Sequence, residues 1–471
     1  MNSFIKYISE KRKRFKFERK IRLTPTQIIA GSFFLAILTG TLLLWLPISS
    51  APGESTDFLT ALFTSTTSVC VTGLVVVDTY IHWSLFGKIV ILILIQLGGL
   101  GIITVTYMLL LMLRRKFTLG DRNLLQDAFN LDTRVGLLSF LVSVFKGTFA
   151  IEAIGAALYS IVFIPEFGVA KGIWISVFNS VSAFCNAGID ILGADSLARY
   201  NSNPLVMTVT MVLIILGGLG YVVWFDIYTS VRSGIKSRYT PVKIVRRFRE
   251  HTRLVLYITM TLIVLGAAMI FIFEYGNPGT IGNMTTGDKL LNSLFQSVTF
   301  RTAGFSTIPQ QNLRDVSCIA GYLLMFIGGS PIGTAGGVKT VTVFIVVMNA
   351  YSFICGRDET VILKRKISEA LIRKAAAIVA VSVMAVFTMT VFLLATNDVT
   401  VTDGAYEVIS ALATVGLTRG LTPVLNNAGR VIIIIAMYLG RIGPISMALF
   451  FAKTKIQKNG VSFAEGRFYV G

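Results

Sequence analysis

The stretch "ATVGLTRG" (413–420) places a single glycine, Gly416, between two apolar blocks near the end of the chain. Three earlier stretches share its pattern, in which a short apolar run rich in Ser and Thr leads to one glycine and then to Leu, Ile or Phe. They are "ALFTSTTSVCVTGLVVVDT" (61–79), "SVFNSVSAFCNAGIDIL" (176–192) and "SLFQSVTFRTAGFSTI" (293–308). Because the glycines Gly73, Gly188, Gly304 and Gly416 are separated by 115, 116 and 112 residues, we infer a fourfold internal repeat.

Each of these glycines has the same surroundings. A long apolar run comes before it, then a half-length amphipathic segment, and a second long apolar run comes after it. We therefore predict a repeated unit of span, re-entrant half-helix, extended strand and span, giving eight transmembrane helices and four re-entrant half-helices. The predicted first spans are 26–47, 138–165, 252–275 and 370–395, the half-helices begin near Thr56, Gly172, Thr286 and Val401, and the second spans are 87–113, 203–229, 316–349 and 430–452.

Composition predicts an all-α polytopic membrane protein. The 471 residues are 54% hydrophobic and only 14% charged, with a mean hydropathy of +0.73, whereas soluble domains carry about 25% charged residues. Continuous apolar runs also disfavour a β-barrel, whose strands alternate apolar and polar residues. The predicted organisation is a basic N-terminal tail (1–23), repeat 1 (24–116), repeat 2 (137–232), repeat 3 (252–350), repeat 4 (370–453) and a C-terminal tail (454–471).

The net charge of +19 is distributed in a way that argues against a nucleic-acid partner. Most Lys and Arg residues lie in the two tails and in three loops (about 114–137, 230–253 and 351–374) on one side of the predicted spans. This positive-inside pattern predicts a multi-pass protein of the cell membrane with both termini in the cytoplasm. The basic stretch 11–22 is expected to meet anionic lipid, with docking to a cytoplasmic partner as the alternative.

The four repeated glycine stretches suggest an ion pathway. Non-helical backbone at membrane depth is tolerated only where it is buried in protein or lines a water-filled cavity, so four re-entrant strands are predicted to share one pseudo-fourfold pore, as in a potassium channel. Small-residue contacts between helices are the alternative. Hydroxyls and amides are expected to support the strands or coordinate ions, and acidic residues to concentrate cations outside. These residues are Thr66, Thr67, Thr72, Asn186, Thr299, Thr302 and Thr414 for the strands, and Asp78, Asp190 and Asp195 for the outer side.

A second motif recurs in the second spans, as "QLGGLG" (96–101), "LGGLG" (216–220), "IGGSPIG" (327–333) and "LGRIGP" (439–444). In the third unit it expands to "GGSPIGTAGG" (328–337), which no continuous helix tolerates well, because glycine costs about 1 kcal/mol and proline about 3 kcal/mol relative to alanine. We predict two half-helices joined by a loop that could plug the pore; a static kink is the alternative. The predicted gate residues are Gly328, Gly329, Ser330, Pro331, Gly333, Thr334, Gly336, Gly337 and Arg441.

Arg441 replaces the middle glycine of the motif in the fourth unit. A cation at membrane depth usually faces a cavity or a partner, so Arg441 is expected to face the pore and bond loop carbonyls, or else to pair with Glu152 or Glu407. Lys339 is expected either to cap the loop or to snorkel. The four cysteines form no C-x-x-C pair, and Cys70 and Cys185 are expected to be small, buried thiols.

Four span–pore–span units, each with one filter glycine, resemble the Trk/Ktr/HKT superfamily of potassium transporters over about residues 24–453. The bacterial KtrB membrane subunits resemble the chain most, given its short cytoplasmic start and eight predicted crossings. The resemblance implies that K+ is bound by four wall segments and that an intramembrane loop forms the gate. The wall residues are Val71, Thr72 and Gly73; Asn186, Ala187 and Gly188; Thr302, Ala303 and Gly304; and Thr414, Val415 and Gly416.

The resemblance also implies a homodimer, frequent sodium dependence and a cytoplasmic, nucleotide-binding, KtrA-like ring as partner. No cofactor is expected in this chain itself; any nucleotide would belong to the ring, and K+ is the transported ion.

Two other classes of function can be compared with an ion channel. A secondary carrier with parallel repeats that moves another cation or a small solute is the main alternative, whereas inverted repeats are disfavoured because all four units have the same orientation. An enzyme is not expected, because the two histidines, His82 and His251, fall on opposite sides of the predicted membrane. The predicted spans that face each other also carry no pair of aspartates.

Overall fold

The computed structural model describes residues 25–102, 104–105, 137–193 and 195–443, and this part of the chain is almost entirely helical. The predicted tails 1–23 and 454–471, nearly all of loop 114–137, and the ends of spans 87–113 and 430–452 lie outside the described residues. The helices are α1 (Pro25–Trp45), α2 (Phe58–Cys70), α3 (Thr79–His82), α4 (Leu85–Leu100), α5 (Leu137–Phe167), α6 (Val169–Cys185), α7 (Pro204–Leu219), α8 (Tyr221–Lys236), α9 (Pro241–Arg246), α10 (Glu250–Glu274), α11 (Thr286–Thr299), α12 (Asp315–Phe326), α13 (Thr340–Ile354), α14 (Glu369–Thr396), α15 (Val401–Leu412) and α16 (Asn427–Ile442).

Short elements complete the described fold. Four 3₁₀ turns lie at Pro47–Ser49, Ala198–Tyr200, Gln310–Asn312 and Thr422–Val424. Between α13 and α14, β1 (Val361–Ile362) and β2 (Arg365–Lys366) form an antiparallel hairpin in which Val361 pairs with Lys366. This hairpin departs from the all-α prediction, although it involves only two residues on each strand.

Four helices, α1, α5, α10 and α14, are long and apolar enough to cross a membrane, and they coincide with the four predicted first spans. Their outer faces are apolar: Leu35 is 65% exposed, Ile161 62% and Phe387 71%. Side chains of this kind would be unfavourable in contact with water over so wide a surface. The described chain is therefore a multi-pass membrane protein that is helical apart from the short β1–β2 hairpin.

Each long helix is followed by a shorter helix that is largely buried. These are α2, α6, α11 and α15, and three of them begin with a side-chain cap: Asp57 accepts a hydrogen bond from the Thr60 amide at 3.1 Å, while Thr285 and Thr400 cap α11 and α15. The second short helix, predicted to begin near Gly172, begins three residues earlier at Val169, directly after Gly168.

A repeated serine contact fixes the short helices against the long ones. Ser65 of α2 donates to the Ile37 carbonyl of α1 at 2.7 Å, Ser180 of α6 donates to the Glu152 carbonyl of α5 at 2.7 Å, and Ser297 of α11 donates to the Ile263 carbonyl of α10 at 2.8 Å. A glycine on each of these three long helices makes room for the hydroxyl; these are Gly40, Gly155 and Gly266. Close backbone approach at small residues is typical of helix packing in membranes.

The segments predicted as second spans are interrupted at the glycine-rich motif. The predicted second span over 203–229 is sharply bent, because α7 and α8 meet at an angle of 99°. Gly220 between them has φ +92°, and any Cβ there would collide with the Pro331 carbonyl, so the turn depends on glycine. Helices α4 and α16 likewise end at a glycine of the same motif, Gly101 and Gly443.

In the third unit the predicted interruption is present. Helix α12 ends at Phe326 and α13 begins at Thr340, and the residues between them form a non-helical loop. We call residues 328–337 the gating loop, after the role predicted for it.

Candidate functional site

The four repeated glycines converge in the structure and form a closed ring. A Cβ built on Gly73 would lie 2.5 Å from the Ala187 carbonyl oxygen, and one built on Gly188 would lie 2.5 Å from the Cα of Gly304. Gly304 in turn lies against Val415 and Gly416, and Gly416 returns to Thr72 and Gly73. Contacts this short leave no space for a side chain at any of the four positions.

The four segments share one backbone conformation. The four repeated glycines have φ values of +102°, +64°, +83° and +95°. Two positions earlier, a non-glycine residue is also left-handed, with φ +55° at Val71, +59° at Asn186, +65° at Thr302 and +52° at Thr414. Such values are uncommon for residues other than glycine, so their recurrence at equivalent positions shows that four segments distant in sequence adopt the same unusual turn.

Amide groups of these segments are held by the preceding short helix. Gly73 N donates to the Thr67 hydroxyl at 2.9 Å, Ile189 N to the Ser182 hydroxyl at 3.1 Å, and Gly416 N to the Ser410 hydroxyl at 3.1 Å. In the third segment the Thr299 hydroxyl instead donates to the Phe305 carbonyl at 2.6 Å. Of these residues, Thr67 and Thr299 were expected from the sequence, whereas Ser182 and Ser410 were missed.

The signal for the missed serines was present in the sequence. Thr67, Ser182 and Ser410 all lie six residues before their glycine, and a search for hydroxyls at a constant offset from the repeated glycine would have found them. Thr66, which was also expected to support the strand, donates instead to the Leu62 carbonyl within its own helix.

Carbonyl groups of the same segments have no such partners. Within the described residues, no hydrogen bond ends on a backbone carbonyl of the twelve wall residues, and all twelve residues are buried. The side-chain oxygens of Thr72, Thr302 and Thr414 also lack partners there. Buried acceptors are almost always paired in proteins. Among the described residues nine of the twelve wall amides donate hydrogen bonds, whereas the twelve carbonyls accept none, and free acceptors of this kind suit a cation.

The acidic residues expected on the outer side have local structural partners. The Asp78 carboxylate accepts hydrogen bonds from the amides of Tyr80 and Ile81 and caps α3. The Asp190 carboxylate accepts one from the Leu192 amide at 3.1 Å. Attraction of cations by these residues and by Asp195 remains a prediction.

The gating loop packs directly against the ring and the bend between α7 and α8. Ser330 N donates to the Gly218 carbonyl at 2.9 Å, Thr334 N to the Gly217 carbonyl at 3.1 Å, and Tyr221 N to the Ile332 carbonyl at 2.8 Å. The loop ends are held together by hydrogen bonds from Gly328 N to Val338 O (3.0 Å) and from Thr340 N to Gly329 O (3.1 Å).

The basic side chains of Arg441 and Lys339 donate hydrogen bonds to backbone carbonyls of this loop. Arg441 donates to the Thr334 carbonyl at 2.6 Å and also to the Gly98 carbonyl of α4. Lys339 donates to the Ala335 carbonyl at 2.6 Å, which favours capping of the loop over snorkelling.

Salt bridges from Arg441 to Glu152 or Glu407 are absent from the described residues. Glu152 accepts hydrogen bonds from Gln96 at 3.1 and 3.2 Å, and Glu407 accepts them from Thr418 and Thr422. Cys70 and Cys185 are free and buried, as predicted.

Sequence comparisons identify relatives along nearly the whole chain. The family profile TrkH, described as "Cation transport protein", matches residues 2–462. The Ktr system potassium uptake protein B of Bacillus subtilis is 38% identical over 451 residues, covering 96% of this chain and 98% of that protein. The potassium/sodium uptake protein NtpJ of Enterococcus hirae is 39% identical over 430 residues, covering 90% and 92%.

The fold also matches a solved structure. The crystal structure of the potassium transporter TrkH from Vibrio parahaemolyticus superposes with a TM-score of 0.70 at 14% identity, covering 93% of this chain and 86% of that one. The fold and the sequence relatives confirm the resemblance found in the sequence. The family match and the sequence relatives also confirm the expectation that the chain is not an enzyme. With its apolar helices, its ring of free carbonyls and these relatives, the chain belongs to the TrkH family of cation transport proteins.

Proposed function

We propose that this chain is the pore subunit of a Ktr-type system and takes up K+ through the ring of four wall segments. In this proposal the carbonyls of the twelve wall residues replace the hydration shell of the ion. The four units each contribute a span, a half-helix, a wall segment and a second span, which gives eight crossings around the pore.

One observation carries the proposal: among the described residues the buried carbonyls of the twelve wall residues accept no hydrogen bond, whereas nine of the twelve amides donate one, around a ring that leaves no room for a side chain at its four glycines. A buried acceptor without a partner costs about 1–3 kcal/mol, and a dehydrated monovalent cation at the centre would remove that cost for several acceptors together. The relatives named for potassium uptake support K+ as this cation, and the relative named for potassium and sodium leaves the degree of discrimination to experiment.

The gating loop is proposed to close the pathway on the cytoplasmic side of the ring. Its contacts with Arg441, Lys339 and the α7–α8 bend would hold it there, and Arg441 would also raise the barrier for a cation at this constriction. Gating then requires the loop to leave these partners.

Topology and assembly follow from the same proposal. Both termini would lie in the cytoplasm, where the basic loops would meet anionic lipid and a nucleotide-binding, KtrA-like ring. Two copies of the chain would associate in the membrane, each with its own pore, and Na+ would be a second ion to which the system responds.

Ion uptake in cells that lack their own potassium uptake tests the proposal. We expect cells expressing the chain to accumulate K+ and Rb+ in preference to Na+, down the electrochemical gradient and without any organic co-substrate. Uptake that depends on a co-transported solute would favour a carrier with parallel repeats. Cells that accumulate no more Rb+ than the untransformed strain, despite normal membrane abundance of the chain, would refute the proposed function.

A further inference from the structure

Arg301 is a buried cation next to the ring, and the proposed function assigns no role to it. It directly precedes the wall residue Thr302, its side chain belongs to a residue only 8% exposed, and no carboxylate of the described residues forms an ion pair with it. A guanidinium held at membrane depth without a counter-charge is costly, so its position needs a physical reason.

The repeat itself shows that Arg301 is an exception. Three residues before the filter glycine, the other units have Cys70, Cys185 and Ala413, all of which are small and buried. Only the third unit has a long charged side chain at this position, and the third unit is also the one whose second span contains the gating loop. The two departures from fourfold symmetry therefore occur in the same unit.

The structure brings these two departures into contact. Arg301 Nη2 donates to the carbonyl of Gly328, the first residue of the gating loop, at 3.4 Å. This distance is long for a hydrogen bond. Among the described residues, the Gly328 carbonyl is the acceptor that the Arg301 guanidinium has. Gly328 N donates a hydrogen bond to the Val338 carbonyl. The carbonyl that Arg301 binds therefore lies where the two ends of the gating loop are hydrogen-bonded to each other.

A small cavity borders the Arg301 side chain. It is lined by Arg301, by Gly329 of the loop, by Gly218 of α7 and by Thr259 of α10. Both Arg301 Nε and the Thr259 hydroxyl are buried without partners among the described residues. Because both groups line the same cavity, the Thr259 hydroxyl is a candidate second acceptor for the guanidinium.

We propose that Arg301 is a positioning residue that latches the gating loop shut by binding the Gly328 carbonyl, and that it turns toward Thr259 when the loop withdraws. The inference rests on the proposed function, because it assigns a control element to the loop proposed as the gate. Withdrawal of the loop removes the acceptor of a buried cation, and this cost favours the closed position. The partial compensation by Thr259 makes opening possible rather than prohibitive.

Rubidium uptake by variant chains tests the latch. Each Arg301 substitution is made in the chain with the complete gating loop and in a chain that lacks residues 331–335. We expect Arg301→Gln to raise the uptake rate about five-fold in the full-length loop, without a change in Rb+ over Na+ preference. Arg301→Lys, which retains the charge and a donor, should stay within about two-fold of wild type. In the shortened background Arg301→Gln should add nothing, because the latch has no loop to hold.

Three results would overturn the latch. They are an equal effect of Arg301→Gln in both backgrounds, an unchanged uptake rate at normal membrane abundance, and a loss of Rb+ over Na+ preference, which would mean that the residue supports the ring. If the Arg301→Gln variant does not reach the membrane, Thr259→Val provides the test. We expect Thr259→Val to lower the Rb+ uptake rate about two-fold with the full-length loop. An unchanged uptake rate in this variant would also overturn the proposal.

The failure of the latch can be told apart from the failure of the proposed function. If the wild-type chain and the shortened-loop chain both transport Rb+ and the Arg301 and Thr259 variants behave like wild type, only the latch is refuted. If the wild-type chain transports none, the proposed function itself fails.

Discussion

The Thr334 hydroxyl of the gating loop donates a hydrogen bond to the side-chain carbonyl of Asn186 in the second wall segment, at 2.9 Å, and both residues are buried. The same hydroxyl lies 3.1 Å from the Phe184 carbonyl. The gating loop thus contacts the second wall segment directly. A displacement of the loop would break this hydrogen bond to Asn186.

Removal of this hydroxyl is expected to loosen the loop. Thr334→Val is isosteric and leaves the Asn186 carbonyl without its donor, so we expect Rb+ uptake to rise about five-fold. Thr334→Ser retains the hydroxyl and serves as the matched control, with uptake close to wild type. Equal uptake by the two variants would contradict a role for this hydrogen bond.

Substitution of the ring glycines should reduce ion discrimination. At Gly304 and Gly416 a serine would meet backbone atoms of the neighbouring segment at 2.8 Å or less and would strain the left-handed turn, at a cost of about 1–3 kcal/mol. We expect Gly304→Ser and Gly416→Ser to lower K+ over Na+ preference about ten-fold, measured as competitive uptake at matched membrane abundance.

Gly31→Ser is the control for this pair, because Gly31 lies on the exposed face of α1 with no atom near enough to be displaced. Its preference should equal that of wild type. Unchanged preference in both ring variants would refute the assignment of the ring as the filter.

Loss of a supporting hydroxyl should have a milder effect of the same kind. Ser410→Ala leaves the Gly416 amide without its acceptor, and a hydrogen bond of this kind contributes about 1 kcal/mol, so we expect K+ over Na+ preference to fall about three- to five-fold. Ser176→Ala is the matched control, since the Ser176 hydroxyl bonds only a carbonyl of its own helix. A similar loss in both would indicate general destabilisation.

Removal of the Arg441 side chain is expected to open the pathway. Arg441→Ala eliminates two hydrogen bonds to carbonyls and a positive charge beside the loop, so Rb+ uptake should rise about ten-fold. Arg430→Ala, in the first turn of the same helix, should leave uptake unchanged. Lower uptake by Arg441→Ala at normal abundance would instead show that the residue serves helix packing.

One buried carboxylate outside the pathway should matter for stability alone. Glu274 at the end of α10 accepts hydrogen bonds from Thr280, Asn277, Ser317 and the Arg314 amide. Glu274→Ala would leave these donors unpaired and should reduce stability by about 3 kcal/mol, visible as a lower Tm of the purified protein. Glu54→Ala, at an exposed position, should leave Tm unchanged, and equal Tm values would contradict this role.

Much of the architecture could be predicted from the sequence because the repeat is explicit. The even spacing of Gly73, Gly188, Gly304 and Gly416, together with apolar runs of membrane length, located the long helices, the buried short helices and the loop at 328–337. The sharp bend at Gly220 was not predicted, although the motif "LGGLG" (216–220) was recognised as a repeat. The collision with Pro331 that demands glycine there involves a residue more than a hundred positions away.

The sequence by itself determined the local conformations: which segments are helical, where glycine interrupts them, and which residue types line the turns, because these depend on neighbours in the chain. Only the tertiary structure decided that the four turns close into one ring, that Arg441 bonds loop carbonyls rather than an acidic side chain, and that Arg301 meets Gly328. These contacts join parts of the chain that are far apart in sequence, and their choice depends on how whole helices pack, which no local pattern records.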